Sequence, residues 1–147
     1  MIDIEHFAKI FADIPFNQLL GLKLDRIEQD HLIMHFPMRA ELIGNFMHRI
    51  LHGGVISSVL DMAGGAAAMI AYVQKHPAHT LPQLTEQLSK ASTVNLHIDY
   101  LRPGKGKEFI TKAWILRSGN KISVARMELF NEESVLIATG TGTYLIG

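Results

Sequence analysis

The chain contains no cysteine, which excludes disulfides and thiolate metal ligands. It also lacks an excess of either charge. Fourteen Lys and Arg balance fourteen Asp and Glu, so the basic footprint of a nucleic-acid binder is absent. Eight histidines are scattered along the sequence. His31/His35 and His48/His52 are each four residues apart, but no His-Glu-x-x-His pattern accompanies them, and no metal site is expected. The first residues, Met1-Ile2-Asp3-Ile4-Glu5, carry acids and no basic stretch, which argues against a secretory signal. No internal repeat or low-complexity tract is visible.

What is present is a core-forming composition. The length of 147 residues and hydrophobic content of 48% fit one domain spanning 1–147. The longest apolar run, 55–73, has the length of a membrane span, about 19 residues. It contains Ser57, Ser58, Asp61, Gly64 and Gly65 and has no basic flanks, so a buried helix of a soluble fold is expected.

Residues 4–14 carry apolar side chains at helical spacing, which predicts an N-terminal helical segment within 1–19. Pro15 ends that helix or begins a further turn. Residues 21–28 alternate with one slip, and Leu32, Met34 and Phe36 alternate after them. Gln29-Asp30 between the runs is a hairpin turn. The stretch 37–51 reads as irregular, with a turn at Gly44-Asn45. A central helix over roughly 54–74 follows. The polar stretch 74–92 is an exposed connection with a short helix at 81–88. Strand patterns fill 93–102, 109–117, 121–130 and 135–146, joined by connectors short enough to demand antiparallel neighbours. The fold class is therefore α+β, with an antiparallel sheet of about six strands around one long helix. In the first of those four strands Val94, Leu96, Ile98 and Tyr100 should face the helix. Thr93, Asn95, His97 and Asp99 should face away.

The chemistry-bearing feature is His52-Gly53-Gly54 at the start of the central helix, followed by a single acid, Asp61. Bare N–H groups at a glycine-rich helix start are suited to a developing anion. A charge inside an apolar helix is costly unless paired or used. Positions three, four and seven from Asp61 are Gly54, Ser57, Ser58, Gly64, Gly65 and Ala68, all small. Two readings follow. In one, Asp61 is a structural acid hydrogen-bonded by Ser57 or Ser58, and the small residues serve close packing. In the other, a substrate carbonyl is polarised at the helix start while Asp61 attacks or directs water, an acyl-transfer or hydrolytic chemistry.

Leu51-His52-Gly53-Gly54-Val55, with Asp61 nine residues after His52, resembles the hotdog-fold thioesterases of the phenylacetate-pathway (PaaI-like) type. Asp99-Tyr100-Leu101-Arg102-Pro103-Gly104 is similar to that family's Tyr-Leu-Arg-Pro strand end, and Gly140-Thr141-Gly142-Thr143-Tyr144 to its last strand. The resemblance spans roughly 20–146. It implies hydrolysis of an acyl-CoA-type or acyl-carrier thioester, with Asp61 as general base or nucleophile. The N–H of Gly53, helped by Gly54, would polarise the carbonyl. Asn45 is the candidate for the Asn or Gln that family members place shortly before the His-Gly-Gly. It stands seven residues before His52, where the pattern has six and this chain has Phe46. Thr93 falls where a hydroxyl helps orient the attacking water. His52 is either a direct catalytic group or a shaper of the turn.

Arg102, and the cluster Arg117, Ser118, Gly119 and Lys121, are candidates for the phosphates of coenzyme A. The resemblance implies no cofactor, coenzyme A being part of the substrate. It also implies a cytoplasmic homodimer or dimer of dimers, in which the acid and the carbonyl-polarising amide come from different chains. The connection 74–92 is longer than that pattern needs. It either lines a substrate entrance or subunit contact or is a surface insertion. Two other functions remain on the same fold: a non-catalytic thioester-binding module, and a hydratase or dehydratase. For the latter, His35-Phe36-Pro37 copies three letters of a motif without its Pro-rich continuation.

Overall fold

The apolar periodicity of the first segment places Phe7 and Phe11 on the buried face of α1 (Ile4–Asp13), their rings stacked 6.0 Å apart. The structure, a computed structural model, describes residues 4–146; residues 1–3 of the expected 1–19 segment, and Gly147, lie outside the described residues. Pro15 does not simply stop the helix. It opens α2 (Pro15–Leu20), where a proline costs nothing because the first N–H has no helical partner.

Next comes the predicted hairpin, β1 (Lys23–Glu28) with β2 (His31–Pro37). Gln29 and Asp30 both take left-handed φ, 49° and 66°, as a two-residue turn of matching twist requires. The slip in the alternation of β1 is a register shift between Leu24 and Arg26.

The stretch 37–51 is more regular than expected. A single 3-10 turn, Ala40–Leu42, leads into a small antiparallel pair, β3 (Ile43–Asn45) and β4 (Ile50–Leu51). The chain reverses over 46–49 rather than at Gly44-Asn45. Asn45 Oδ1 fixes that reversal by accepting from the N–H groups of Met47 and His48, at 3.1 and 3.3 Å.

The central helix is α3 (Gly53–Lys75), 23 residues and thus about 34 Å long. It is followed by α4 (Leu81–Leu88), where the connection was expected to turn helical. Thr80 and Gln83 form a reciprocal capping box at its start. The chain closes with β5 (Ser92–Tyr100), β6 (Glu108–Ser118), β7 (Ile122–Asn131) and β8 (Leu136–Leu145).

The six long strands form one antiparallel sheet in the order β1-β2-β6-β7-β8-β5. α3 lies across β6, β7 and β8 and reaches β2 and β5 at either side. This helix has the length and composition to cross a membrane. Here Val59, Leu60, Ala63 and Ala68 are completely buried in the core. Gly64 is what lets it come so close. A Cβ there would lie 2.3 Å from the Tyr144 hydroxyl and 2.9 Å from the Met127 sulfur.

One strand departs from simple alternation. In β5 the register shifts between Thr93 and Asn95, so Thr93 pairs with Tyr144 and Leu96 with Gly142. Directly opposed residues share a face, and 144 and 142 are on the same one. Thr93 therefore faces the helix together with Leu96, Ile98 and Tyr100, against the expectation that it faces away. Val94, expected inside, is 55% exposed. A β-bulge is the reason, since one extra residue inverts the parity of everything before it.

Candidate active site

The site is built around the two ends of the first half of α3. At its start, His52 is the N-cap: its Nδ1 accepts the Gly54 N–H at 2.8 Å, which requires that nitrogen to be unprotonated. The imidazole thus takes up one of the two glycine donors. Among the described residues the Gly53 N–H is left without a hydrogen-bond partner and keeps its capacity for an oxyanion at the positive end of the helix. Gly44 allows this geometry, because a Cβ on it would lie 2.6 Å from the His52 Cα. The exposed Tyr100 leans over the same turn and donates its hydroxyl to the Gly53 carbonyl at 3.1 Å.

Asp61 lies eight residues along the helix from Gly53, about 12 Å at the helical rise. It is half-buried. Thr93 Oγ1 donates to its Oδ1 at 3.0 Å, and Tyr144 donates its hydroxyl to the Asp61 main-chain carbonyl at 3.1 Å. Burial, and then the neighbouring Asp61 charge, push the Tyr144 phenol well above its ordinary range, so it stays a donor. Ser57 and Ser58 do not bind the carboxylate. Both hydroxyls donate back to the Gly54 carbonyl, at 3.1 and 2.6 Å. The purely structural reading of Asp61 thereby loses its proposed partners. Asp61, Thr93 and Tyr144 all line a mainly apolar cavity of about 390 Å³.

The remaining candidates fall elsewhere. Asn45 is exposed, and its carboxamide oxygen is occupied by the β3–β4 turn. Arg102, at the end of β5, donates through Nη1 to the Leu136 carbonyl at 2.9 Å. The predicted phosphate cluster is the β6–β7 hairpin at the far end of α3. Lys75 Nζ donates there to the Ser118 carbonyl at 2.6 Å. Gly119 and Lys121 line a surface recess with Lys75 and His76, while the exposed Arg117 is not part of it. That recess is about 21 Å along the helix from Asp61. Among the described residues, no group of three or more His, Asp or Glu is placed to hold a metal ion.

Three contributors escaped single-residue reading: Tyr144 beneath Asp61, Tyr100 over Gly53, and Lys75 beside Ser118. Each acts across strands or elements distant in sequence. The available signal for Tyr144 was indirect, a helix face kept small enough to admit an aromatic from the sheet.

A helix wrapped by an antiparallel sheet, carrying a supported carboxylate and a free amide at its start, is the hotdog architecture of a thioester hydrolase. The chain belongs to the thioesterase superfamily, whose family model matches residues 48–138. It is 42% identical over 134 residues to the medium/long-chain acyl-CoA thioesterase YigI of Escherichia coli K12, covering 91% of this chain and 86% of that protein. A crystal structure from Shewanella oneidensis, described as related to the thioesterase superfamily, superposes with a TM-score of 0.93 at 41% identity. That match covers 98% of this chain and 95% of the other. A Haemophilus influenzae thioesterase shares the fold at 16% identity, with a TM-score of 0.77 over 100% of this chain and 92% of that one.

Proposed function

We propose that the protein hydrolyses acyl-CoA thioesters at a site shared by two copies of the chain. In this reading Asp61 of one copy acts as general base or nucleophile, and the Gly53 N–H of the other polarises the thioester carbonyl. The observation that carries it is a distance. Within one chain Gly53 and Asp61 are eight residues apart on one helix, about 12 Å of axial rise between their Cα atoms, too far for the amide and the carboxylate to meet at one carbonyl group.

The edge strand offers the remedy. Among the described residues β5 pairs only with β8, and an unpaired edge is a template for another strand. Its Thr93 end lies against Asp61 and its Tyr100 end against Gly53. Antiparallel pairing of two β5 strands about a two-fold axis brings the Asp61 end of each copy to the Gly53 end of the other. Val94 and Tyr100, more than half exposed in the isolated chain, lie on that strand. The β6–β7 recess with Lys75 and Lys121 is the candidate for the coenzyme A phosphates. Acyl-CoA is a cytosolic substrate class, so a cytoplasmic location goes with this reading.

The test is release of free thiol from an acyl-CoA panel, followed by complementation. Asp61→Asn removes the base. Gly53→Pro removes the N–H at a helix position that accepts proline, and His52, at φ −61° and ψ 138°, already has the extended backbone a following proline prefers. Each variant alone should be inactive. Mixed and reassembled in equal amounts, they should recover about one quarter of the wild-type rate, because half the dimers carry one intact site. No recovery from a mixture shown to exchange subunits excludes the shared site. Binding of acyl-CoA without thiol release by the wild type would favour the non-catalytic module.

A further inference from the structure

β5 also carries polar side chains on the face of the sheet turned away from α3. His97 and Asp99 stand two residues apart there, with His97 Nε2 3.2 Å from Asp99 Oδ1. Their side chains are 75% and 53% exposed, and the hydrolytic reading uses neither. Among the described residues of one chain, no third His, Asp or Glu joins them to complete a metal-holding group.

The register of β5 decides where a second copy would place its own pair. Thr93 stands opposite Tyr144 and Tyr100 opposite Ala138, and the position halfway between, Thr141, is opposite His97. The bulge makes this so, because by residue number alone the midpoint would fall between Leu96 and His97. Directly opposed residues share a face, so a two-fold axis in an antiparallel pair must pass through one residue and its own copy. The axis that sets Thr93, beside Asp61, against the partner's Tyr100, beside its Gly53, therefore passes through His97.

We infer that two copies of the chain form a zinc site on this axis, built from His97 and Asp99 of each. The inference rests on the shared active site proposed above and adds a second site to the same interface. Opposed residues of an antiparallel pair have Cα atoms about 4.5–5.5 Å apart, so the two imidazoles lie side by side. Zinc holds imidazole nitrogen and carboxylate oxygen at about 2.0–2.2 Å, which sets neighbouring ligands of a tetrahedron about 3.3 Å from one another. The 3.2 Å from His97 Nε2 to Asp99 Oδ1 already matches one edge of that tetrahedron. The two-fold axis supplies the opposite edge. Imidazole ligands favour zinc over calcium or magnesium. In the same register Asn95 of each copy opposes Asp99 of the other, where its amide can donate to the carboxylate oxygen that the metal leaves free. Four protein ligands leave no open position, so the site is structural. It ties the dimer together on the face of the sheet opposite to Asp61 and takes no part in the hydrolysis.

The experiment starts from chelator-treated full-length protein and measures zinc uptake by equilibrium dialysis against zinc chloride. Wild type should bind one zinc per two chains that His97→Ala loses. Asp99→Asn should weaken this binding about a hundredfold or more, since even the groups behind a metal ligand are worth about ten- to a hundredfold. Cobalt in place of zinc should give wild type the intense visible absorption of a tetrahedral site, absent from His97→Ala. Zinc should raise the Tm of wild type and leave that of His97→Ala where it was. Without metal, the two proteins should share the same Tm and the same rate of thiol release, because His97 is exposed and away from the reacting groups. No zinc uptake, one zinc per chain, or uptake that His97→Ala retains overturns the inference.

The complementation test keeps the two readings apart. A protein that complements but binds no zinc at His97 loses the metal site alone. One zinc per two chains, abolished by His97→Ala, in a protein that fails to complement would keep the metal site and remove the shared active site.

Discussion

Thr93 and Asp61, thirty-two residues apart, are joined by a 3.0 Å hydrogen bond that exists only because β5 carries a bulge at its start. Without the extra residue the Thr93 side chain would sit on the outer face of the sheet. The bulge turns an ordinary strand threonine into a support for the carboxylate.

Thr93→Val keeps the shape and β-propensity of the side chain and deletes the donor. A hydrogen bond to a charged group contributes about 1.5–3 kcal/mol, so kcat for acyl-CoA hydrolysis should fall roughly ten- to a hundredfold. Thr93→Ser should stay within about threefold of wild type. Steady-state kinetics on the three proteins decide this, and equal rates for all would show that the hydroxyl does not orient the reacting groups.

Tyr144 is held protonated by burial and by Asp61. Its raised pKa has a defined consequence for stability. Below the unfolded phenol's pKa of about 10 the contribution is complete. As the pH rises past that value the unfolded state releases a proton that the native state keeps, and stability falls. Tyr144→Phe should remove this alkaline slope while losing about 1 kcal/mol at neutral pH with the hydroxyl's bond to Asp61. Urea titrations from neutral to alkaline pH measure both effects, and an unchanged slope in the variant refutes the assignment.

His52 caps α3 through Nδ1. His52→Ala should cost about 1 kcal/mol, and His52→Asn, which supplies another capping acceptor, should restore most of it. If capping is the role, His52→Asn keeps thiol release within a few fold. A hundredfold loss at unchanged Tm would instead make the imidazole a catalytic group.

Glu132 gathers the N–H groups of Lys107 and Glu108, and its carboxyl is held below the usual range by main-chain hydrogen bonds, first at its own residue and then from Lys107. The sign is opposite to that of Tyr144. Its contribution is present above the unfolded carboxyl's pKa of about 4.3 and is lost as the pH falls through the depressed native value. Glu132→Gln should flatten the acid limb of a Tm-against-pH curve. An identical acid limb would show that the carboxylate does not clamp this loop.

The element order, the central helix, α4 and the hairpin at Gln29-Asp30 were legible in the chain itself. Periodicity, turn residues and short connectors are local signals, and they sufficed for these elements. The Gly44-Asn45 turn was misplaced because an Asx side chain carried the reversal two residues further on. The face of Thr93 was misjudged because alternation assumes an unbroken pleat.

Taken alone, the sequence determined the apolar helix, its single acid, its glycine start and the strands around them, since these follow from the spacing of residue types along one chain. Tertiary structure decided which groups serve that acid. Thr93 reached Asp61 through a bulge, Tyr144 through cross-strand packing on Gly64, and the apolar cavity through the meeting of α1, α3 and α4. These contacts join residues far apart in the chain, where register and packing, not local preference, select the partners.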